Sequence, residues 1–570
     1  MTKISTAKPR DTVQVAFDKQ IYYEAPTGTS LKEFCDKWQQ DNNIPAEERA
    51  IAAIVDNKLR ELTVPVTRDI TIRPVTLGDS DGNRIYRRTL SFMLVVAIHE
   101  LFGCQVVIDH AMPSGAFFCH LRGRDNLTAV ELQQLKQRML EMVEQDLPIT
   151  RSNIPLEEAR SIFAARNDDD KLRLLQVREQ DYLSIYNLKG YVDYFFGYMA
   201  PSTGYIHWFN LMTYGNGFAL RYPRRENPGQ LLPPIESPKL SRVFQQTGEW
   251  LNLMGLEDIG QLNQVIAENR IREVVLVAEA LHERQISQIG ERIARRFQEG
   301  VRIVLIAGPT SAGKTTTSKR LAIQLMTHGL KPFTLELDNY FVNRELTPLD
   351  ELGEYDFEAL HAVDIERLNR DLLSLVAGTK TVLPRFDFVT GQSSDGSRIQ
   401  LTDDTIIILE GIHGMNPGLT PEIPVEQAYR VYVSALTQLN IDRHNRVPTT
   451  DVRLIRRIIR DATYRNYTAE DTLARWSSVR RGEKRHIFPF QEYADAMFNS
   501  SMPYELAALR PFVEPLLLRV SADSKLHVEA HRLLSFLRWV RPMESEVIPD
   551  NSLLREFIGG SILRDYHPGG

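Results

Sequence analysis

Eight residues in the middle of the chain have types and spacing suited to holding a polyphosphate. Gly308, Pro309, Thr310, Ser311, Ala312, Gly313, Lys314 and Thr315 fit G-x-x-x-x-G-K-[S/T] without a gap, with Thr316 following. Glycines let the backbone wrap tightly, so successive N–H groups and a helix N-terminus can cradle phosphate. Lys314 then reaches the β- and γ-phosphates, and the Thr315 hydroxyl is placed to ligate Mg²⁺. The context agrees: an apolar β-branched run, VRIVLIA, feeds the loop, and a helical pattern from Thr316 to Met326 leaves it.

Two carboxylates stand where such a loop needs them. The run FTLELDNYF (333–341) reads as a strand ending in Asp338, and TIIILEG (405–411) as a central strand ending in Glu410. Residues at the carboxyl ends of strands in an α/β sheet face the ligand crevice. Asp338 is suited to take a proton from an attacking hydroxyl, and Glu410 to hold a metal or its water. A turn residue is the competing reading of Asp338, and plain strand-end polarity that of Glu410. Farther on, Arg453, Arg456, Arg457 and Arg460 share one arc of a helix, beside Asp461, while Leu454, Ile455, Ile458 and Ile459 take the opposite face. Arginine forks suit a transferring phosphoryl group, with a solvated helix face as the alternative. Arg480, Arg481, Lys484 and Arg485 form a second basic cluster that extends this positive surface.

In this order the P-loop, LDNYF, PRFDF, ILEGIHG and VRLIRRIIRD resemble the uridine kinase and phosphoribulokinase family over roughly 240 residues. The resemblance implies phosphoryl transfer from ATP with Mg²⁺ to a hydroxyl of a small molecule. It makes Asp338, Lys314 and Arg453 the expected catalytic residues and Gly308 to Thr316 the nucleotide cradle. Thr315 and Glu410 become the expected metal ligands, and Phe341, Asp364, Phe386 and Arg456 the expected acceptor-side residues. Pyrimidine nucleoside kinases of this family carry a Tyr-Asp-Phe segment followed by a His. Here the segment is Phe386-Asp387-Phe388, and Gly391 falls where the His would stand. Polar readout of a base is thereby lost, so a nucleoside acceptor is expected without strict base specificity. A sugar phosphate or other small alcohol is the same-fold alternative. A P-loop NTPase regulating an RNA-associated process is the alternative from another class, although no N-K-x-D motif for a GTPase is found.

The elements that must position these residues form a multidomain chain of α+β and α/β parts. At 570 residues, three or four domains are expected. Residues 12–76 read as a small mixed unit, 77–225 as α+β, 226–300 as a linker and helical segment, and 301–540 as alternating strands and helices around a parallel sheet. Residues 541–570 read as a C-terminal tail. The first two units, from VQVAFDKQIYYEAPTGTSLKEF to APSTGYIHWFNL, resemble the front of a threonyl-tRNA synthetase: a TGS-type domain, then an editing-type domain. The editing chemistry of that family depends on an H-x-x-x-H pair and a later Cys and His. Arg88, Phe92, Phe195 and Met199 occupy those positions here, which implies a retired catalytic site. The resemblance leaves RNA, a small molecule or a protein as candidate partners of this half, with the aromatic run YVDYFFGYM read as core packing over a pocket, and His99 and His110 as structural. Net charge is −6, which argues against a generally basic nucleic-acid binder. Three cysteines without a CxxC pair, no signal-peptide pattern and no membrane-length apolar run fit a cytoplasmic protein with no membrane partner. Self-association is compatible with the sequence but not encoded in any motif.

Overall fold

The structure is a computed structural model that describes residues 10–17, 21–351 and 353–568. Its first unit is a five-stranded sheet in the order Ile21–Pro26, Thr12–Phe17, Ile70–Val75, Ala52–Val55, Lys58–Glu61. Helix Leu31–Asp41 crosses it, opened by a capping box in which Ser30 and Glu33 satisfy each other's backbone N–H. Asp56 and Asn57, both at positive φ, close the tight turn between the last two strands. Strands Thr12–Phe17 and Ile21–Pro26 pair antiparallel, and with this helix they make the mixed unit expected for residues 12–76.

The second unit is organised around helix Ser80–Phe102, which Gly103 ends in a left-handed conformation. Fourteen of its residues are buried, among them every position from Thr89 to Ile98. It packs with helix Ala129–Glu144 and with two antiparallel sheets of four and three strands.

The third unit is an all-parallel five-stranded sheet in the order Lys331–Glu336, Thr405–Glu410, Ile303–Ala307, Ala428–Ser434, Ala496–Asn499. The period-two rule for strands is visible in its two cores. Val304, Ile306, Ile406 and Ile408 point into one hydrophobic cluster, and Ile303, Leu305, Ile407 and Leu409 into another. Both faces are covered, which is why these strands read as unbroken apolar runs.

Two parts of the expected domain map change. The stretch 226–300, read as a linker and helical segment, contains helices Pro238–Leu253, Ile259–Ala267 and Ile271–Gln298; the apolar faces of the last two, and Leu251 of the first, belong to the main core of the parallel sheet. Residues 541–570, read as a tail, fold back on the phosphate loop: Leu553, Leu554 and Phe557 are fully buried in that same core. Sequence periodicity finds amphipathic helices, but it does not say which face of which unit they cover.

The segment between strand Ala428–Ser434 and helix Thr449–Tyr464 binds the second unit to the third. Lys171 Nζ lies 2.9 Å from Asp193 and 3.4 Å from Asp442, and His444 Nδ1 lies 2.7 Å from the other oxygen of Asp193. The Arg443 guanidinium and backbone N–H both donate to Asp170, and Ile108 N–H donates to the Arg443 carbonyl at 2.8 Å. Burial opposes the charge on Lys171, but Asp193, Asp442 and Asp170 outweigh it and raise its pKa. No helix among the described residues is long and apolar enough to cross a membrane.

Candidate active site

The phosphate loop leaves strand Ile303–Ala307 and enters helix Lys314–Thr327. Gly308 is required by space: a Cβ there would lie 1.9 Å from the Val433 carbonyl oxygen. Gly313 is required twice over, by a φ of +84° and by Leu553, whose side chain would lie 2.7 Å from a Cβ. The first N–H groups of the following helix, those of Lys314 and Thr315 among them, have no intrahelical carbonyl to bond and are available to a phosphate.

Thr315, Glu410, Lys314 and Asp338 converge at the carboxyl ends of three neighbouring strands. Thr315 Oγ1 donates to Glu410 Oε2 at 3.0 Å. Burial raises the Glu410 carboxyl to about 7, against the pull of Lys314 and with repulsion from Asp338 and Glu556 adding to it. Asp338, on a short 3-10 turn after its strand, is open to solvent yet crowded by protein, and its pKa is raised for that reason. Lys314, Arg465 and Arg460 oppose the rise. The Thr315 hydroxyl and Glu410 carboxylate are hard oxygen donors of the kind Mg²⁺ takes while keeping waters and phosphate oxygens in its remaining positions. No group of three His, Cys, Asp or Glu side chains able to hold a metal alone occurs among the described residues.

The arginine helix divides in a way the sequence does not reveal. Arg453 and Arg456, expected at the reacting phosphate and the acceptor, turn inward and are 1% and 0% exposed. Arg453 forms a two-pronged ion pair with Glu483 and donates to the Thr310 carbonyl at 3.3 Å. Arg456 pairs with Glu505 and reaches the carbonyls of Ser311 and Ser500. A guanidinium spent on a buried carboxylate has no fork left for a ligand, so these two brace the loop from behind. The outward arginines are Arg457, Arg460 and Arg465, which share the single carboxylate of Asp461. Arg457 also donates to the Thr310 hydroxyl at 3.1 Å. Arg460 and Arg465 are the ones that act on Asp338.

Three carboxylates from distant sequence complete the surroundings, and no local motif announces them. Glu483 accepts from Thr310 N–H at 3.2 Å. Glu556 accepts from Thr316 N–H at 3.2 Å and from its hydroxyl at 2.7 Å, so Thr316, expected on the nucleotide, is engaged with the chain's own carboxylate. Glu358 is raised to about 7 by burial, with repulsion from Glu483 next in size. The second basic cluster is not a free surface. Arg480 pairs with Glu483, Arg481 with Asp350, Lys484 with Glu226 and Arg485 with Glu351.

Among the residues expected on the acceptor side, Phe341 and Phe386 form a three-ring cluster with Phe388, with centroids 5.1–6.2 Å apart. Phe388 is 58% exposed. Asp364 begins helix Ile365–Val376 and accepts from Arg367 N–H at 2.9 Å, which makes it the N-cap of that helix. Gly391 sits at φ +73° in the turn between strands Thr381–Asp387 and Gln392–Ile399, packed against Arg344, where a larger residue would be strained.

In the second unit the four replaced positions do come together. The Phe92 and Phe195 rings lie 5.2 Å apart, Arg88 donates to the Tyr198 carbonyl, and Met199 is buried beside them. His110 stacks on Phe244 at 4.0 Å, and His99 packs on Tyr191, both in structural roles.

Comparison with known proteins agrees with this division. Residues 303–507 match the phosphoribulokinase / uridine kinase family. Threonine–tRNA ligase of Thermotoga petrophila is 31% identical over 174 residues, which are 30% of this chain and 27% of the ligase. Threonine–tRNA ligase 1 of Bacillus subtilis is 27% identical over 231 residues, 40% of this chain and 34% of the ligase. The chain thus spans about a quarter to a third of the length of these curated relatives. Among solved structures, a Bacillus stearothermophilus protein described as a possible uridine kinase aligns at 23% identity over 35% of this chain and 89% of its own, with a TM-score of 0.22. A D-glycerate 3-kinase from Cryptococcus neoformans aligns at 13% identity over 44% of this chain and 87% of its own, also with a TM-score of 0.22. The chain carries a C-terminal P-loop domain of the phosphoribulokinase/uridine kinase family behind an N-terminal region that matches threonine–tRNA ligases.

Proposed function

We propose that the chain is an ATP-dependent kinase that phosphorylates a hydroxyl of a nucleoside. The observation that carries this reading is the placement of Asp338 and Lys314 beside the Thr315–Glu410 pair at the carboxyl ends of three parallel strands. The helix N-terminus and Lys314 hold the triphosphate, and Thr315 with Glu410 would hold Mg²⁺, which when bound neutralises charge on the phosphate oxygens. Asp338 accepts the proton of the acceptor hydroxyl as its oxygen bonds to the γ-phosphorus. The bond from that phosphorus to the bridging oxygen breaks, and ADP leaves with the electron pair. Its raised pKa makes Asp338 a stronger base than an ordinary aspartate. Arg460 and Arg465 act on Asp338 and supply positive charge near it. The ring cluster of Phe341, Phe386 and Phe388 offers a face for a planar base, which favours a nucleoside over a bare sugar phosphate.

The test is Asp338→Asn. Transfer to a panel of nucleosides should fall about 10²–10⁴-fold with ATP affinity retained. A variant that transfers at the parent rate removes Asp338 from the role of base. Parent protein that hydrolyses ATP only when RNA is added, and phosphorylates no nucleoside or sugar phosphate, would favour a regulatory NTPase instead.

A further inference from the structure

Between the second and third units lies a recess of about 600 Å³ that is separate from the phosphate loop. Its size falls within the range typical of small-molecule sites. Its lining is strongly basic: nine arginine and lysine side chains against four carboxylates. The four carboxylates are already matched, Asp81 by Arg84, Glu529 by Arg84 and Arg532, Asp451 by Arg532, and Glu226 by Arg225 and Lys484.

What remains is unusual. Arg87, Arg88, Arg224 and Arg446 line the recess, and among the described residues none of them meets a carboxylate. Each donates instead to a single backbone carbonyl, those of Asn83, Tyr198, Pro113 and Asp109 respectively. Arg87 and Arg446 lie over the same ring, Phe117, at 5.8 and 5.1 Å from its centroid, and Arg87 also lies over Tyr222 at 5.4 Å. Burial lowers Arg446 to about 10, with Arg87 adding to the fall, and lowers Arg88 to about 10 with Arg84, Arg87 and Arg532 contributing. The Asp109 carboxylate offsets Arg446 in part, but several forked cations crowded into a half-buried space without ion-pair partners of their own cost stability unless an anion visits. Phe195, Phe244 and Trp476 complete an aromatic lining.

We propose that this recess binds a nucleoside monophosphate, with the phosphate on Arg87, Arg88 and Arg446 and the ring system against the aromatic wall, and that its occupancy is transmitted to the phosphate loop. Guanidinium forks match a phosphate dianion, and stacked aromatics suit a base. The route to the loop is short. Trp476, Arg480 and Lys484 line the recess from helix Ala469–His486. Glu483 of that helix holds Thr310 N–H and pairs with both Arg480 and Arg453. Thr449, Thr450 and Asp451, also in the lining, begin the helix whose Arg453, Arg456 and Arg457 reach Thr310 and Ser311.

Binding can be tested without any assumption about the reaction. Full-length protein carrying Lys314→Ala, to weaken the donor site, is titrated calorimetrically with AMP, GMP, CMP and UMP, and separately with inorganic phosphate and a short single-stranded RNA. At least one monophosphate should bind saturably, and Arg87→Gln combined with Arg446→Gln should weaken it at least tenfold. In protein with an intact Lys314, the same monophosphate should shift ATP affinity, and ATP should shift monophosphate affinity by the same factor. Should the arginine pair prove necessary for folding, Ser477→Trp at the rim of the recess must produce the loss by filling it. No saturable monophosphate binding, affinity unchanged in both variants, inorganic phosphate binding as tightly as any monophosphate, or RNA alone binding through Arg87 and Arg446, each overturns the assignment. Saturable binding that leaves ATP affinity unmoved overturns the coupling.

Discussion

Glu483 is the residue on which the loop's support turns, and its removal has a size that can be worked out. The Arg453–Glu483 pair is two-pronged, and its side chains are 1% and 0% exposed. Deleting one partner of such a pair leaves a buried charge uncompensated, at a cost of about 3–5 kcal/mol. Glu483→Gln keeps the shape and one oxygen for Thr310 N–H, so the loss isolates the charge. Part of it is offset, because Glu358 is pushed up by repulsion from Glu483 and would ionise more easily once that charge is gone. The low end, about 3 kcal/mol, is therefore the expected cost. For a unit of roughly 330 residues, from helix Pro238–Leu253 to the buried C-terminal segment, that corresponds to a fall of about 4 °C in the melting transition. Scanning calorimetry of the nucleotide-free protein reads this directly. Replacing both partners by Met and Leu of similar volume should recover only part of the loss, since an apolar pair carries no desolvation cost but leaves Thr310 N–H and Arg480 without Glu483. A Glu483→Gln protein that melts within about 2 °C of the parent would refute the claim that this ion pair holds the loop.

Two further outcomes follow from the same geometry. Glu410 and Glu358 are both raised to about 7, above their ordinary value near 4.5, so the folded protein holds their protons more tightly than the unfolded chain does. Their contribution to stability is full below pH 4.5 and is lost as pH rises through 7; Glu410→Gln should flatten that decline in a metal-free melting series, and an unchanged profile would count against the assigned burial. Gly313→Ala should destabilise the loop by about 1–2 kcal/mol from its left-handed backbone alone. Leu553→Ala is itself a core truncation costing about 2–5 kcal/mol, so the two changes are read as a double-mutant cycle. The coupling should return only the steric share of the Gly313→Ala loss, because the φ of +84° remains; a coupling equal to the whole loss would show that backbone conformation does not matter there.

Much of the donor half of the site is legible in sequence because its logic is local. The glycine spacing, the strand before Gly308 and the helix after Lys314 lie within about twenty residues, and so do the capping boxes at Ser30 and Thr128. Asp338 and Glu410 are readable because strand ends in a parallel sheet share one side. Arginine orientation is different. Periodicity puts Arg453, Arg456, Arg457 and Arg460 on one arc, but only Glu483 and Glu505, 30 and 49 residues on, decide which two turn inward. Glu556, 240 residues from Thr316, leaves no local trace at all. Asp364 shows the limit of motif carry-over: only the family resemblance suggests it as a ligand residue, and one of its oxygens caps a helix.

The buried joint between the second and third units has a consequence for how the chain is made. Asp170 must wait for Arg443, 273 residues later, and Asp193 for His444, 251 residues later. At a synthesis rate of about 5–20 residues per second, that wait lasts on the order of 15–50 s. During it, the emerging half presents Lys171, Asp170 and Asp193 to water with none of their later partners yet made. The same surface carries Leu174, Leu175 and Tyr194, whose core includes residues of the third unit such as Trp539, so charged and apolar groups alike wait for the second half of the chain.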